Sequence, residues 1–142
     1  YRKIQTKKLQ IELREKNRAI ITEERLNKID AMSDEQIKNV FASYDVHTIA
    51  IYGAGAVGRK LEEKLRDIET VQVEYFIDKL VEDEEIAGVR VLRMNIDFLP
   101  EVDAVLVTVY NEMKLVLSEM PNYYTDYCKI VSIDMIFQEE KL

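Results

Sequence analysis

In 142 residues the chain has one cysteine, one histidine, two prolines, four glycines and no tryptophan. A lone Cys128 excludes an internal disulfide and a thiolate metal site; followed by Lys129-Ile130-Val131, the start of an expected strand, it reads as a small buried or half-buried filler in a reducing cytosol. No apolar run approaches the roughly eighteen residues of a membrane-spanning helix. His47 stands directly before an expected strand, with no Cys or Ser nucleophile at a recognisable position. It reads as a solvated strand-entry residue rather than a general base.

What remains is ordinary for one globular unit: 47% hydrophobic and 33% charged residues, enough for a single core. The charge is uneven. Residues 1–29 hold nine Lys or Arg against four Glu, a net +5, and residues 30–142 hold eleven basic against twenty-three acidic, a net −12. So acidic a body is a poor nucleic-acid binder, because sequence-independent binding rests on neutralising phosphates with basic groups. The first residue is Tyr1 rather than Met, which reads as a piece of a longer chain.

Three of the four glycines fall together. The apolar strand Thr48-Ile49-Ala50-Ile51-Tyr52 runs into Gly53-Ala54-Gly55-Ala56-Val57-Gly58. A helix with Leu61, Leu65 and Ile68 on one stripe follows, then a second strand from Val71 to Ile77 ending at Asp78. Gly53 permits the tight turn, Gly55 lets a pyrophosphate approach the backbone, and Gly58 lets the helix pack on the strand. The first-turn N–H groups of that helix lack intrahelical partners and face the loop with the positive end of the dipole. Asp78 lies twenty residues beyond Gly58, where a carboxylate takes ribose hydroxyls. The competing expectation is a fold that keeps its glycines for packing and binds nothing.

Elsewhere, residues 2–20 read as a helix without a clean heptad, and Thr22 as the N-cap of a short second helix through Ile29. Ser33 with Gln36 forms a capping box for a third helix with Ile37, Val40, Phe41 and Tyr44 on its apolar face. Glu82 to Glu85 reads as a solvated loop, Gly88 to Leu92 as a third strand, and Asp103 to Val109 as a central strand buried on both faces. A helix follows from about Glu112 to Met120, ending before Pro121, and a fifth strand spans Lys129 to Met135. The expected fold is α/β: a Rossmann-like three-layer domain over residues 46–142, with a five-stranded parallel sheet in the order 3-2-1-4-5, preceded by a helical arm over residues 1–45.

The ligand crevice of such a sheet lies beyond the carboxyl ends of strands one and four. This gathers Gly53, Ala54, Gly55, Ala56, Val57, Gly58, Asp78, Lys79 and the stretch Thr108 to Asn111, with Tyr110 lining or stacking at the pocket edge. Tyr110 and Lys114 match the Tyr-x-x-x-Lys spacing of short-chain dehydrogenases. They follow the wrong strand for that role, so the match reads as coincidence. Tyr123, Tyr124 and Tyr127 read as a cover over the sheet edge.

Residues 46–136 resemble the small Rossmann-like domains of bacterial surface-polysaccharide enzymes, including membrane-linked nucleotide-sugar epimerase/dehydratases and the nucleotide-sugar-binding halves of sugar acetyltransferases. The residues that carry this are Ile51-Tyr52-Gly53-Ala54-Gly55, Gly58, Phe76-Ile77-Asp78, Gly88-Val89-Arg90-Val91 and Asp103 to Val107. Ala56 and Val57 stand where the acetyltransferase type has a histidine. The resemblance implies a cytoplasmic module that binds a nucleotide or nucleotide sugar within a larger enzyme and usually catalyses nothing itself; the expected ligand is NAD(H) or a nucleoside-diphosphate sugar, with NADP as an alternative to NAD. An oxidoreductase or epimerase half, and an S-adenosylmethionine site, stay open behind it. Residues 1–20, with seven basic residues against two Glu, either follow a membrane-proximal segment of a parent protein or pack as a helix on the domain or on a second copy as a homodimer.

Overall fold

Helices cover both faces of one sheet because each buried strand is apolar on both sides. The computed structural model describes residues 2–110 and 112–138. In β1 (Thr48–Tyr52), Ile49 and Ile51 face one layer while Ala50 and Tyr52 face the other. In the fourth strand of the parallel set, β5 (Ala104–Val107), Ala104 and Leu106 alternate in the same way with Val105 and Val107. The first layer is built from α1 (Arg2–Ala31), α2 (Asp34–Ser43), α3 (Ala56–Leu65) and α6 (Asp134–Gln138), which bring Ile29, Phe41, Leu61, Leu65 and Ile136 onto the sheet. The second layer consists of α4 (Met113–Glu119), α5 (Asn122–Thr125) and the segment through Met94, Leu99 and Val102.

The sheet has six strands, not the five expected. Its order is β3-β4-β2-β1-β5-β6, with β2 at Gln72–Ile77, β3 at Glu85–Ile86, β4 at Val89–Leu92 and β6 at Lys129–Ser132. β4, β2, β1, β5 and β6 run parallel, and β3 is an antiparallel edge on β4. The added strand takes the end of the acidic stretch expected to be loop. It forms because Ala87 and Gly88, at φ of 53° and 82°, make the two-residue hairpin turn that needs positive φ at both positions.

At the N-terminus one thirty-residue helix replaces the two expected, and Thr22 lies inside it rather than capping a new one. Its two halves differ. Residues 3–20 are exposed, including Ile4 at 73% and Leu13 at 63%, whereas Arg25, Ile29 and then Met32 are buried. The capping box of α2 is present: Gln36 N–H donates to Ser33 Oγ at 3.1 Å and Ser33 N–H to Gln36 Oε1 at 2.7 Å. Ile37, Val40 and Phe41 are buried on it, but Tyr44 ends the helix exposed. β6 is shorter than expected because Asp134 starts α6. Tyr124 is core rather than cover, its hydroxyl 2.6 Å from that of Tyr75; Tyr123 stacks on Phe98. No helix among the described residues is long and apolar enough to cross a membrane.

Candidate functional site

At the carboxyl edge of the sheet the chain leaves β1 and turns at Gly53, whose φ of 103° and whose N–H bond to Ile77 O (2.8 Å) fix the bend. A methyl on Gly53 would lie 2.6 Å from Thr108 Oγ1, and one on Gly58 would lie 1.9 Å from Gly53 O. Both glycines are therefore required by packing. Gly55 is different: a Cβ there would meet nothing within 4 Å. Its openness is toward a cleft of about 230 Å³ lined by Gly53, Gly55, Ala56, Val57, Gly58, Asp78, Thr108, Val109, Tyr110 and Glu112, together with Arg18 and Thr22 of α1.

Gly55 caps α3 with no side chain, and the first intrahelical bond is Arg59 N–H to Gly55 O at 3.0 Å. The N–H groups of Ala56, Val57 and Gly58 precede it and have no acceptor within the helix. Ala54 is spent on the loop itself. Its N–H donates to Asp78 Oδ2 at 2.8 Å, its carbonyl accepts from Arg59 Nε at 2.8 Å, and it is buried beneath the cleft rather than lining it.

Asp78 is more engaged than its place in the motif implies. Oδ1 accepts from Leu80 N–H (2.8 Å) and Val81 N–H (2.9 Å), Oδ2 from Ala54 N–H. Partial burial works against its charge, but these three donors outweigh it and hold the carboxyl below the ordinary aspartate range. A carboxylate offers about four lone-pair sites, so one remains for a ligand hydroxyl. Lys79 points elsewhere. It is ion-paired with Glu119 of α4, which raises its pKa, and it does not line the cleft.

Thr108 is buried and its hydroxyl donates to Tyr52 O at 2.8 Å, so it closes the seam between β1 and β5. Tyr110 lines the cleft and also an adjoining hollow of about 400 Å³ shared with Arg14, Asn17, Arg18 and Glu112. Asn111 lies outside the described residues. His47 is exposed beside Asp45, at 3.0 Å. Among the described residues no group of three or more His, Cys, Asp or Glu side chains could hold a metal ion.

The wall contributed by α1 is absent from the motif. Arg25 is 7% exposed and donates through one guanidinium nitrogen to Thr108 O at 2.9 Å and through the other to Asp134 Oδ2 at 3.2 Å. Arg18, Thr22, Arg25 and Ile29 recur at three- and four-residue spacing, so they share one helix face. That mostly polar stripe, within the basic segment, was the available signal. No family model, curated protein or solved structure matches the chain.

Proposed function

We propose that this cleft is a nucleotide site, for NAD(H) or a nucleoside-diphosphate sugar, in a Rossmann-like module that binds its ligand without catalysing a reaction alone. The observation that carries this is the open space over Gly55, bordered by the first turn of α3, whose N–H groups have no acceptor one turn back in the helix, and by Asp78 at the end of the neighbouring strand. No packing contact requires glycine at this N-cap, and a bare backbone there is what a phosphate lying on the loop requires. Asp78 supplies an acceptor for ribose hydroxyls and repels a 2′-phosphate, favouring NAD over NADP. The motif residues' likeness to bacterial surface-polysaccharide enzymes supports a place within such a larger, cytoplasmic enzyme. The second reading, a loop that serves packing alone, draws on the three internal bonds that Asp78 already accepts.

Calorimetric and thermal-shift titration with NAD, NADP, UDP-glucose, S-adenosylmethionine and coenzyme A separates the two. Binding raises stability by mass action, about 2.7 kcal/mol at a hundred times the dissociation constant. Gly55→Val should abolish that shift while leaving the unliganded melting temperature nearly unchanged, since the side chain enters open space. No shift with any compound, or unaltered affinity in Gly55→Val, refutes the nucleotide site.

A further inference from the structure

We propose that Arg18 of α1 is a second phosphate contact of this site, so that the ligand is one carrying two linked phosphates, the first on the α3 amides and the second on the guanidinium. The inference rests on the nucleotide reading for where the first phosphate lies, and adds the side chain that meets the second. Arg18 lines both the cleft over Gly55 and the adjoining hollow, the second together with Arg14 one turn earlier. Neither arginine makes a hydrogen bond or ion pair with any of the described residues; the Arg25, Arg59, Arg66 and Arg93 side chains all do. Glu112 lines both hollows too but forms no ion pair with either among the described residues. Asp78, the other carboxylate of the cleft, is held by three backbone donors.

The stretch of α1 that follows Arg18 is anchored at two points. Arg25, two turns on, is pinned to β5 and α6, and Lys60 of α3 pairs with Asp30 at 2.7 Å, which fixes the same helix lower down. An exposed guanidinium without a partner among the described residues, lining the same cleft as a helix N-terminus in a protein of net charge −7, makes a local anion site against the charge of the whole molecule. The planar fork of arginine suits the paired oxygens of a phosphate. A ligand with a single anionic group needs only one of the two walls.

The test is titration of the wild type, Arg18→Gln, Arg18→Lys and Gly55→Val with inorganic pyrophosphate, ADP-ribose, AMP and UDP-glucose at low and high salt. Arg18 is exposed, so its variants should fold as the wild type does, which circular dichroism checks. Arg18→Gln should weaken ADP-ribose and UDP-glucose about ten- to a hundredfold, Arg18→Lys less, and AMP little. Equal affinity of wild type and Arg18→Gln for every diphosphate refutes the contact while leaving the nucleotide reading intact. Pyrophosphate binding that needs both Gly55 and Arg18, without binding of any nucleotide, supports the contact and refutes the nucleotide reading. Absence of all binding by the wild type refutes both.

Discussion

Gly58 and Gly55 belong to one motif, yet alanine should destabilise the fold at the first and leave its stability nearly unchanged at the second. The Gly58 methyl would sit 1.9 Å from Gly53 O and 3.3 Å from Ile51 Cγ2. The first of these contacts is with backbone, so α3 must retreat by more than about 1 Å, lifting Leu61 and Leu65 from the core. Overpacking of this kind costs about 1–3 kcal/mol or more, and the gain in helix propensity on replacing glycine offsets about 1 kcal/mol. At the upper end, a net loss of about 2 kcal/mol lowers the melting temperature of a chain this size by roughly 6–8 °C. At Gly55 no atom lies within 4 Å and φ is −86°, so alanine is sterically free. The loss of a favoured N-cap and the reduced entropy of the unfolded chain nearly cancel, each about 0.5–1 kcal/mol. Thermal unfolding followed by circular dichroism measures both variants. If Gly58→Ala melts within a degree of the wild type, the close approach of helix and turn is not the reason for that glycine.

Two further outcomes follow from the same contacts. Arg25→Met keeps the aliphatic stem but leaves Thr108 O without its donor, and should cost about 2 kcal/mol, because Asp134 is half exposed and stays solvated; a thermal melt unchanged within experimental scatter would mean α1 is not pinned there. Asp78 and Asp103, the latter accepting from His47 N–H and Thr48 N–H, both ionise at lower pH in the fold than in the unfolded chain. Their stabilisation is therefore complete above the ordinary aspartate pKa of about 4 and is lost as pH falls through their folded-state values. Asp103→Asn should flatten the fall of melting temperature below about pH 4, and an unaltered slope would exclude Asp103 as a source of acid lability.

The glycine turn was legible because its residue types answer to local geometry: a positive φ, a close approach, an open face. β5 was legible because a strand buried on both sides must be apolar throughout. The capping box was legible because both of its bonds lie within four residues. The wall built by α1 was not. Arg25 is buried only because Thr108 O and Asp134 receive it, 83 and 109 positions away, and no pattern within a helix encodes distant acceptors. Thr22 looked like an N-cap because its hydroxyl suits that role, but nothing around it breaks the helix, so good helix formers on both sides carry α1 through. Lys79 was placed in the crevice by adjacency to Asp78. At the end of a strand neighbouring side chains diverge, and Glu119 of α4 holds the lysine away.

The exposed half of α1 also has a mechanical meaning. With Arg25 as the fulcrum, Arg18 stands about 10 Å up the helix axis and the far end of the helix about 35 Å. A tilt of about 5° would carry that end about 3 Å and Arg18 about 1 Å, a reduction of roughly threefold. One ångström is the difference between a hydrogen bond and none. A contact between Arg18 and anything in the cleft therefore depends on how firmly Arg25 anchors α1.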